Sequence, residues 1–553
     1  MKRVESDSKL EMPPSVAPVL ILSGSDYEMG YQYGQQAAPY FEMRLNETWA
    51  GILKQLGYEE VLHELEGTEK YIKQYAPEAI DMMKGIVHGA TAAGIKLSYL
   101  DVLLLSSATV IGMKRPVPEE EILGAGGCSG FAAWGSCTKD RSLICGASSD
   151  SEMNPCVTML VFPDKGNSYI TITNYVGALM HHPVMNNRGL VYVHHGGGGG
   201  GGPAPQSGLP ASVAVVHTSR FASNANEARD MQLSYTTRSG GLWVDMQGNN
   251  CVIERNESKT VRQAGDFGET DFIYAANNAL CRELGQEGRT YTEHGGWYQS
   301  GRWGRNSVSR NLSMWNMLHN YRGEVTFDFV EMMWRFPGDP PPYPLDSRTY
   351  LATNGEGWNT PICHLLNKYV AIMLPDDGDK GKMYVCSGPA GRVAYPADPT
   401  GYSFFIAPTY TFYELTLASS PSGVVSLAKG AASAYLAEAY EKLMWLNYTD
   451  TGYTALNELF SQSSSEFWQG SVAYDKGLLT GGNEMLLYFS KAATAFARSQ
   501  AHAKQVLHAL VPPATCPSEL TGLENRPWFA NWGEWATREP ATVPTGNPKA
   551  KTR

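Results

Sequence analysis

Residues 124–131 read GAGGCSGF. Small residues from Gly124 to Gly127 run into Cys128, and a strand-like segment starts directly behind the cysteine. Two readings fit. The stretch can be a tight turn feeding a buried strand, with the thiol acting as a small apolar filler. Alternatively, the Gly127–Cys128 peptide bond is itself reactive. Glycine removes a side chain from the approach to the Gly127 carbonyl, and the thiol of the next residue can attack that carbonyl. The product is a thioester, which water opens, leaving Cys128 with a free α-amine. An α-amine titrates at about 8 and a thiol at about 8.5, so one residue would carry a nucleophile and a matched base. On these eight residues alone, the filler reading is the simpler one.

The pattern changes at Cys128. Upstream, VLILSG predicts a strand that turns helical after Ser25, and residues 77–112 carry apolar residues at spacings of three and four, with Gly94 as a stop. Ser98 and Asp101 form a start resembling a capping box. Downstream, CSGFAAWG, SLICGASS, VTMLVFP, SYITITN, GLVYVHH, LWVDMQ and NCVIERN read as short strands between turn residues. A helical interlude covers 209–233, strands return near FIYAAN, KYVAIMLP and KMYVCSG, and helices close the chain over 424–446 and 481–510. Helices outside stacked sheets follow, an α+β layered fold. The expected divisions are a mobile leader (1–18), a helical segment (19–127), a strand-rich core (128–410), a mainly helical extension (411–535) and a disordered tail (536–553).

Composition narrows the function. A net charge of −11 argues against nucleic acid and anionic membrane surfaces as partners. No apolar run is long enough to span a bilayer, and the basic N-terminus has no apolar stretch behind it as a secretory signal would. Nine cysteines without a CxxC pair suggest reduced, buried thiols in a cytoplasmic protein. The pairs His181–His182 and His194–His195 do not suggest a metal, because neighbours on a strand point to opposite faces and no further ligand accompanies them. No Gly-x-Ser-x-Gly elbow is present. HGGWYQSGRWGRNS (294–307) reads as a packed loop rather than a lid, and the tyrosine-, leucine- and methionine-bearing helices near the C-terminus as core or subunit contacts.

Several segments, in this order, resemble the N-terminal nucleophile (Ntn) cysteine hydrolases of the penicillin acyltransferase type: GSDYEMGYQYGQQAA (24–38), GGCSGFAAWGSCTKDRSLICGASSD (126–150), NNRGLVYV (186–193) and YAANNAL (274–280). The likeness spans about residues 19–390. It implies a four-layer αββα sandwich and autocleavage between Gly127 and Cys128. It implies Cys128 as nucleophile, Asp150 as the carboxylate that orients the new α-amine, and Asn277 as the amide donor to the oxyanion, a contact worth about 3–4 kcal/mol in the transition state. Taken by themselves, Asp150 reads as a turn or capping residue, and Asn277 reads equally as an oxyanion donor or a strand-end turn residue. Three places depart from the family. Ala147 and Ser148 stand where it commonly has Arg or Gln and Asn, and Asn278 follows Asn277 where it often has His. A cationic contact to a substrate carboxylate is therefore missing there, and Trp358 and Thr360 occupy the region of the family's later substrate-binding Arg.

His194, His195 and the run Gly196–Gly202 follow a predicted strand. They are no phosphate loop, lacking the Gly-Lys-Ser/Thr. Seven glycines make either a flap packed on a ligand or an exposed linker. The resemblance sets the loop beside the substrate pocket and adds His195, Gly196 and Asn278 as binding residues. The expected protein is an autoprocessed hydrolase of a small linear amide, such as an N-acyl compound or amino-acid amide. It uses no cofactor, and its two chains come from one precursor, with a homo-oligomer of these left open. Transfer of the acyl group to an amine, a non-catalytic binding protein of the same fold, and a phospholipase B-like lipid hydrolase are the alternatives.

Overall fold

The computed structural model describes residues 16–53, 56–112, 128–150, 156–173, 176–179, 182–193, 208–237, 240–254, 260–266, 268–276, 302–335, 362–363, 367–398, 401–406, 411–446 and 452–510. The fold mixes α and β, with stacked sheets and helices against them. One sheet has eight strands in the order β1 (Val19–Gly24), β4 (Val157–Pro163), β5 (Tyr169–Thr173), β6 (Val184–Asn186), β7 (Val191–Val193), β8 (Gly241–Val244), β9 (Asn250–Glu254) and β10 (Thr260–Arg262). The second has six, in the order β11 (Phe272–Ala275), β2 (Cys128–Ala133), β3 (Ile144–Asp150), β12 (Asn367–Leu374), β13 (Lys382–Cys386) and β16 (Tyr413–Thr416). β14 (Arg392–Asp398) and β15 (Gly401–Ile406) form a separate ribbon. β1 runs parallel to β4, and the other paired strands are antiparallel.

Alternation along the strands decides which face meets what. On β12, Ala371 and Met373 join an apolar core shared with Ile170, Val191 and Val244 of the first sheet. Val370 and Ile372 point the other way, into a core with α8 (Arg302–Asn320) and α9 (Phe327–Trp334). The outer face of the first sheet is covered by α1 (Asp26–Gln36), α2 (Ala38–Leu53), α3 (Tyr58–Tyr75), α4 (Glu78–Ala92), α5 (Tyr99–Gly112), α6 (Ala211–Phe221) and α7 (Ala225–Ser234). The sheets approach closely at Gly130, where a Cβ would lie 1.9 Å from Val193 Cγ1.

The segment 24–38 has physical reasons for its residues. Ser25 caps α1 by accepting from the Glu28 N–H, and Glu28 accepts from the Ser25 N–H at 2.8 Å, a complete capping box. Gly30 and Gly34 lie against α4, where added methyls would stand 2.0 Å from Met82 O and 2.2 Å from Ile86 O. Gly94 takes φ +89° after α4, as a stop requires. The expected Ser98–Asp101 start is also present, the Asp101 carboxylate accepting from the Ser98 N–H at 2.8 Å.

The C-terminal helices α10 (Pro421–Met444), α11 (Tyr453–Leu479) and α12 (Gly482–Leu510) close the side where both sheets end. α12 satisfies the backbone of both edge strands. Thr494 and Ser490 hydroxyls accept from Val19 and Ile21 N–H at 2.9 and 2.8 Å, and the Gln500 amide bridges Glu414 N–H and C=O at 2.8 and 3.1 Å. A helix covering sheet edges removes a site for unwanted strand pairing. The stretch read as a packed loop at 294–307 is corrected from 302 onward, where α8 begins; an apolar stripe through Met314, Met317 and Leu318 holds that helix to the second sheet. Among the described residues, no helix is long and apolar enough to cross a membrane.

Candidate active site

Cys128 is the first residue of β2 and is buried. In register it stands opposite Ser149 of β3, with Ser129 opposite Ser148. The alternation that turns Gly130 toward Val193 puts the Cys128 thiol on the face between the sheets. Residues 129 and 131 face outward, and Phe131 stacks there on Trp334. Asp150, at the end of β3, is buried on this outer side. The glycine of the ICGASSD segment is needed for packing, since a Cβ on Gly146 would meet Phe131 and Trp334 at 2.5 and 2.6 Å.

One guanidinium ties the ends of β2 and β3 together. Arg310, fully buried on α8, donates from Nη1 to the Cys128 carbonyl at 2.5 Å and to Ser129 Oγ at 2.7 Å. The same nitrogen stands 3.7 Å from Asp150 Oδ2. Asn367, where β12 begins, donates its amide to Asp150 Oδ1 at 2.6 Å. The Asp150 N–H and the Ser149 hydroxyl donate to the Cys128 sulfur. Burial pushes the thiol up to about 12, with the Asp150 charge adding to the rise, while Arg310 and the two hydrogen bonds oppose it. Burial also lowers Arg310, and the Asp150 charge counters that. Cys128 is therefore a neutral thiol at pH 7.

Cys128 and Asp150 are thus brought together, as neighbours on β2 and β3. Gly127, His195, Gly196, Asn277 and Asn278 lie outside the described residues, as do Trp358 and Thr360. β11 leads toward Asn277 and pairs with β2, Ala275 opposite Gly130, so residue 277 follows a strand adjoining that of the thiol. Ala147 and Ser148 are buried; Ser148 Oγ accepts from the Ser129 N–H at 3.3 Å. The buried cation beside this strand end is Arg310 of α8, which serves Asp150 and the Cys128 carbonyl. Asn186 of the NNRGLVYV segment is a structural hub: it donates to Ser219 O at 2.8 Å and accepts from the Arg188 and Leu190 N–H at 3.0 Å each. Of the two histidine pairs, His182 is described, buried with Nε2 3.5 Å from Ser148 O. The seven described cysteines are buried and form no disulfide with one another.

Sequence reasoning missed Arg310 and Asn367. Arg310 carried a usable signal, a cation four and seven residues ahead of the apolar Met314 and Met317 on one helix face. Asn367 carried none, because only the β3–β12 register brings it to Asp150.

No family model matches the sequence. An uncharacterized protein of Archaeoglobus fulgidus is 28% identical over 173 residues, a match covering 28% of each chain.

Proposed function

We propose that the chain is an Ntn cysteine hydrolase of the four-layer αββα type, made as a precursor that cuts itself between Gly127 and Cys128. The observation that carries this reading is the placement of Cys128 at the head of β2, with one buried guanidinium joining its carbonyl to the Asp150 carboxylate. A thiol used only as filler has no need of a desolvated charge pair at its own backbone, since burying such charges is costly.

In self-cleavage the Cys128 sulfur bonds to the Gly127 carbonyl carbon, the Gly127–Cys128 C–N bond breaks, and the thiol proton ends on the departing amine. Water then opens the thioester, leaving the Gly127 carboxylate, the free thiol and the Cys128 α-amine. That amine, titrating at about 8, supplies the base the buried thiol lacks in the uncut chain. The mature enzyme attacks a small linear amide, an N-acyl compound or amino-acid amide. Cys128 holds the acyl group as a thioester, the α-amine returns the proton to the leaving amine, Asn277 donates to the oxyanion, and Asp150 with Arg310 fixes the end of β2. The resemblance assigns His195, Gly196 and Asn278 to substrate binding, and water takes the acyl group.

Intact-mass spectrometry tests the cleavage. Active protein resolves into fragments 1–127 and 128–553, whereas Cys128→Ala stays whole and does not hydrolyse N-acyl amino acids, amino-acid amides or anilides. An active preparation consisting of one 60.5 kDa species refutes the cleavage. Undiminished amide hydrolysis by Cys128→Ala refutes the mechanism.

A further inference from the structure

α10 and α11 pack side by side, with the Tyr440 and Phe460 rings 5.8 Å apart and Lys429 over the Tyr474 ring, and α12 packs beneath both. The face turned away from α12 carries several large apolar side chains. Trp468, Val472 and Leu479 are spaced four and seven residues apart on α11 and are 67%, 53% and 87% exposed. Tyr440, Met444 and Trp445 of the α10 end are 53%, 66% and 82% exposed. The three aromatics alone leave roughly 400 Å² of ring surface in water. With the methionine, valine and leucine, the face approaches the roughly 800 Å² that each partner buries in a stable complex.

A second feature lies on the same side of α10. Gly430, Ser433, Ala434 and Ala437 are exposed, and a Cβ built on Gly430 would meet nothing within 4 Å. Glycine in a helix interior costs about 0.5–1 kcal/mol relative to alanine, and nothing among the described residues requires it here. A close approach from outside would. Large side chains on α11 beside a small-residue surface on the antiparallel α10 make the face self-complementary, as a two-fold interface requires.

We infer that this face is the dimer interface of the protein, the Trp468–Leu479 ridge of one copy seating on the Gly430–Ala437 surface of the other. Light scattering coupled to size exclusion, run on the full-length protein over a concentration series, should give twice 60.5 kDa. Trp468→Glu and Val472→Lys each raise the dimer Kd by about 30-fold or more, with unchanged circular dichroism. Phe221→Lys, at an exposed apolar residue elsewhere, leaves it unchanged. Gly430→Leu is the sharpest probe. A better helix former at an open position raises the melting temperature of the subunit, yet by filling the depression it weakens the dimer. A monomer at all concentrations overturns the proposal, as does a dimer indifferent to all three face variants. A monomer that dimerises once residues 511–553 are removed also overturns it, making the chain's own tail the occupant.

Discussion

Replacing Arg310 by methionine tests the central electrostatic claim without reference to catalysis. The guanidinium is fully buried and holds the Cys128 carbonyl, the Ser129 hydroxyl and, at 3.7 Å, the Asp150 carboxylate. At an effective dielectric near 20, a pair at that distance attracts by about 4.5 kcal/mol before desolvation. Methionine refills most of the volume but leaves Asp150 with the Asn367 amide and a buried charge. Breaking one side of such a pair costs about 3–5 kcal/mol. Arg310→Met therefore lowers the unfolding free energy by about that amount in urea titrations at pH 7. Asp150→Asn alone strands the arginine and costs about the same. Arg310→Met/Asp150→Asn, with no charge left behind, should lose at least about 2 kcal/mol less than the two single losses together. Single losses under about 1 kcal/mol, or strict additivity in the cycle, refute the view that these two side chains act as one unit.

Gly34→Ala forces α1 away from α4, because the new methyl would sit 2.2 Å from Ile86 O and 2.8 Å from Ala90 N; a loss of about 1–3 kcal/mol is expected by thermal melting, and an unchanged melt counts against the close crossing. Gly130→Ala should destabilise the sheet stack by a similar amount, and Val193→Ala, by removing the Cγ1 that the methyl would strike at 1.9 Å, should restore part of it. Lys504 is buried over the Tyr435 ring at 4.3 Å, with Tyr384, Glu331, Glu414, Arg335 and Cys386 around it, and burial lowers it to about 8 from 10.5. Between pH 8 and 10.5 the unfolded chain binds the extra proton, so stability owed to this group rises with pH there, by up to about 3 kcal/mol. The wild type should gain on Lys504→Met across that window in parallel urea titrations, which cancel the thiols common to both; a constant difference refutes it.

Many of the strand positions were legible because short apolar runs lie between turns that carry glycine, asparagine or proline. CSGFAAWG, SLICGASS and KYVAIMLP sit where the period-2 reading puts them, as β2, β3 and β12. α8 was partly misread, since glycine, tryptophan and arginine in HGGWYQSGRWGRNS mimic a loop until Met314, Met317 and Leu318 find the second sheet. α3 and α11 went unread for the opposite reason, because their polar residues blur the 3.6-residue period that packing later resolves.

The sequence by itself determined the local chemistry: a cysteine behind glycines, a helix capped by Ser25 and Glu28, and an aspartate closing a strand. These depend on neighbours a few residues away, and such interactions are written in spacing. Tertiary structure alone decided what surrounds the thiol. β2 and β3 put Cys128 opposite Ser149, α8 drives Arg310 182 residues along the chain into that strand end, and β12 delivers Asn367 from 217 residues beyond Asp150. Contacts at such separations follow from sheet register and from which helix face the core accepts, and both are settled only when the whole apolar interior closes.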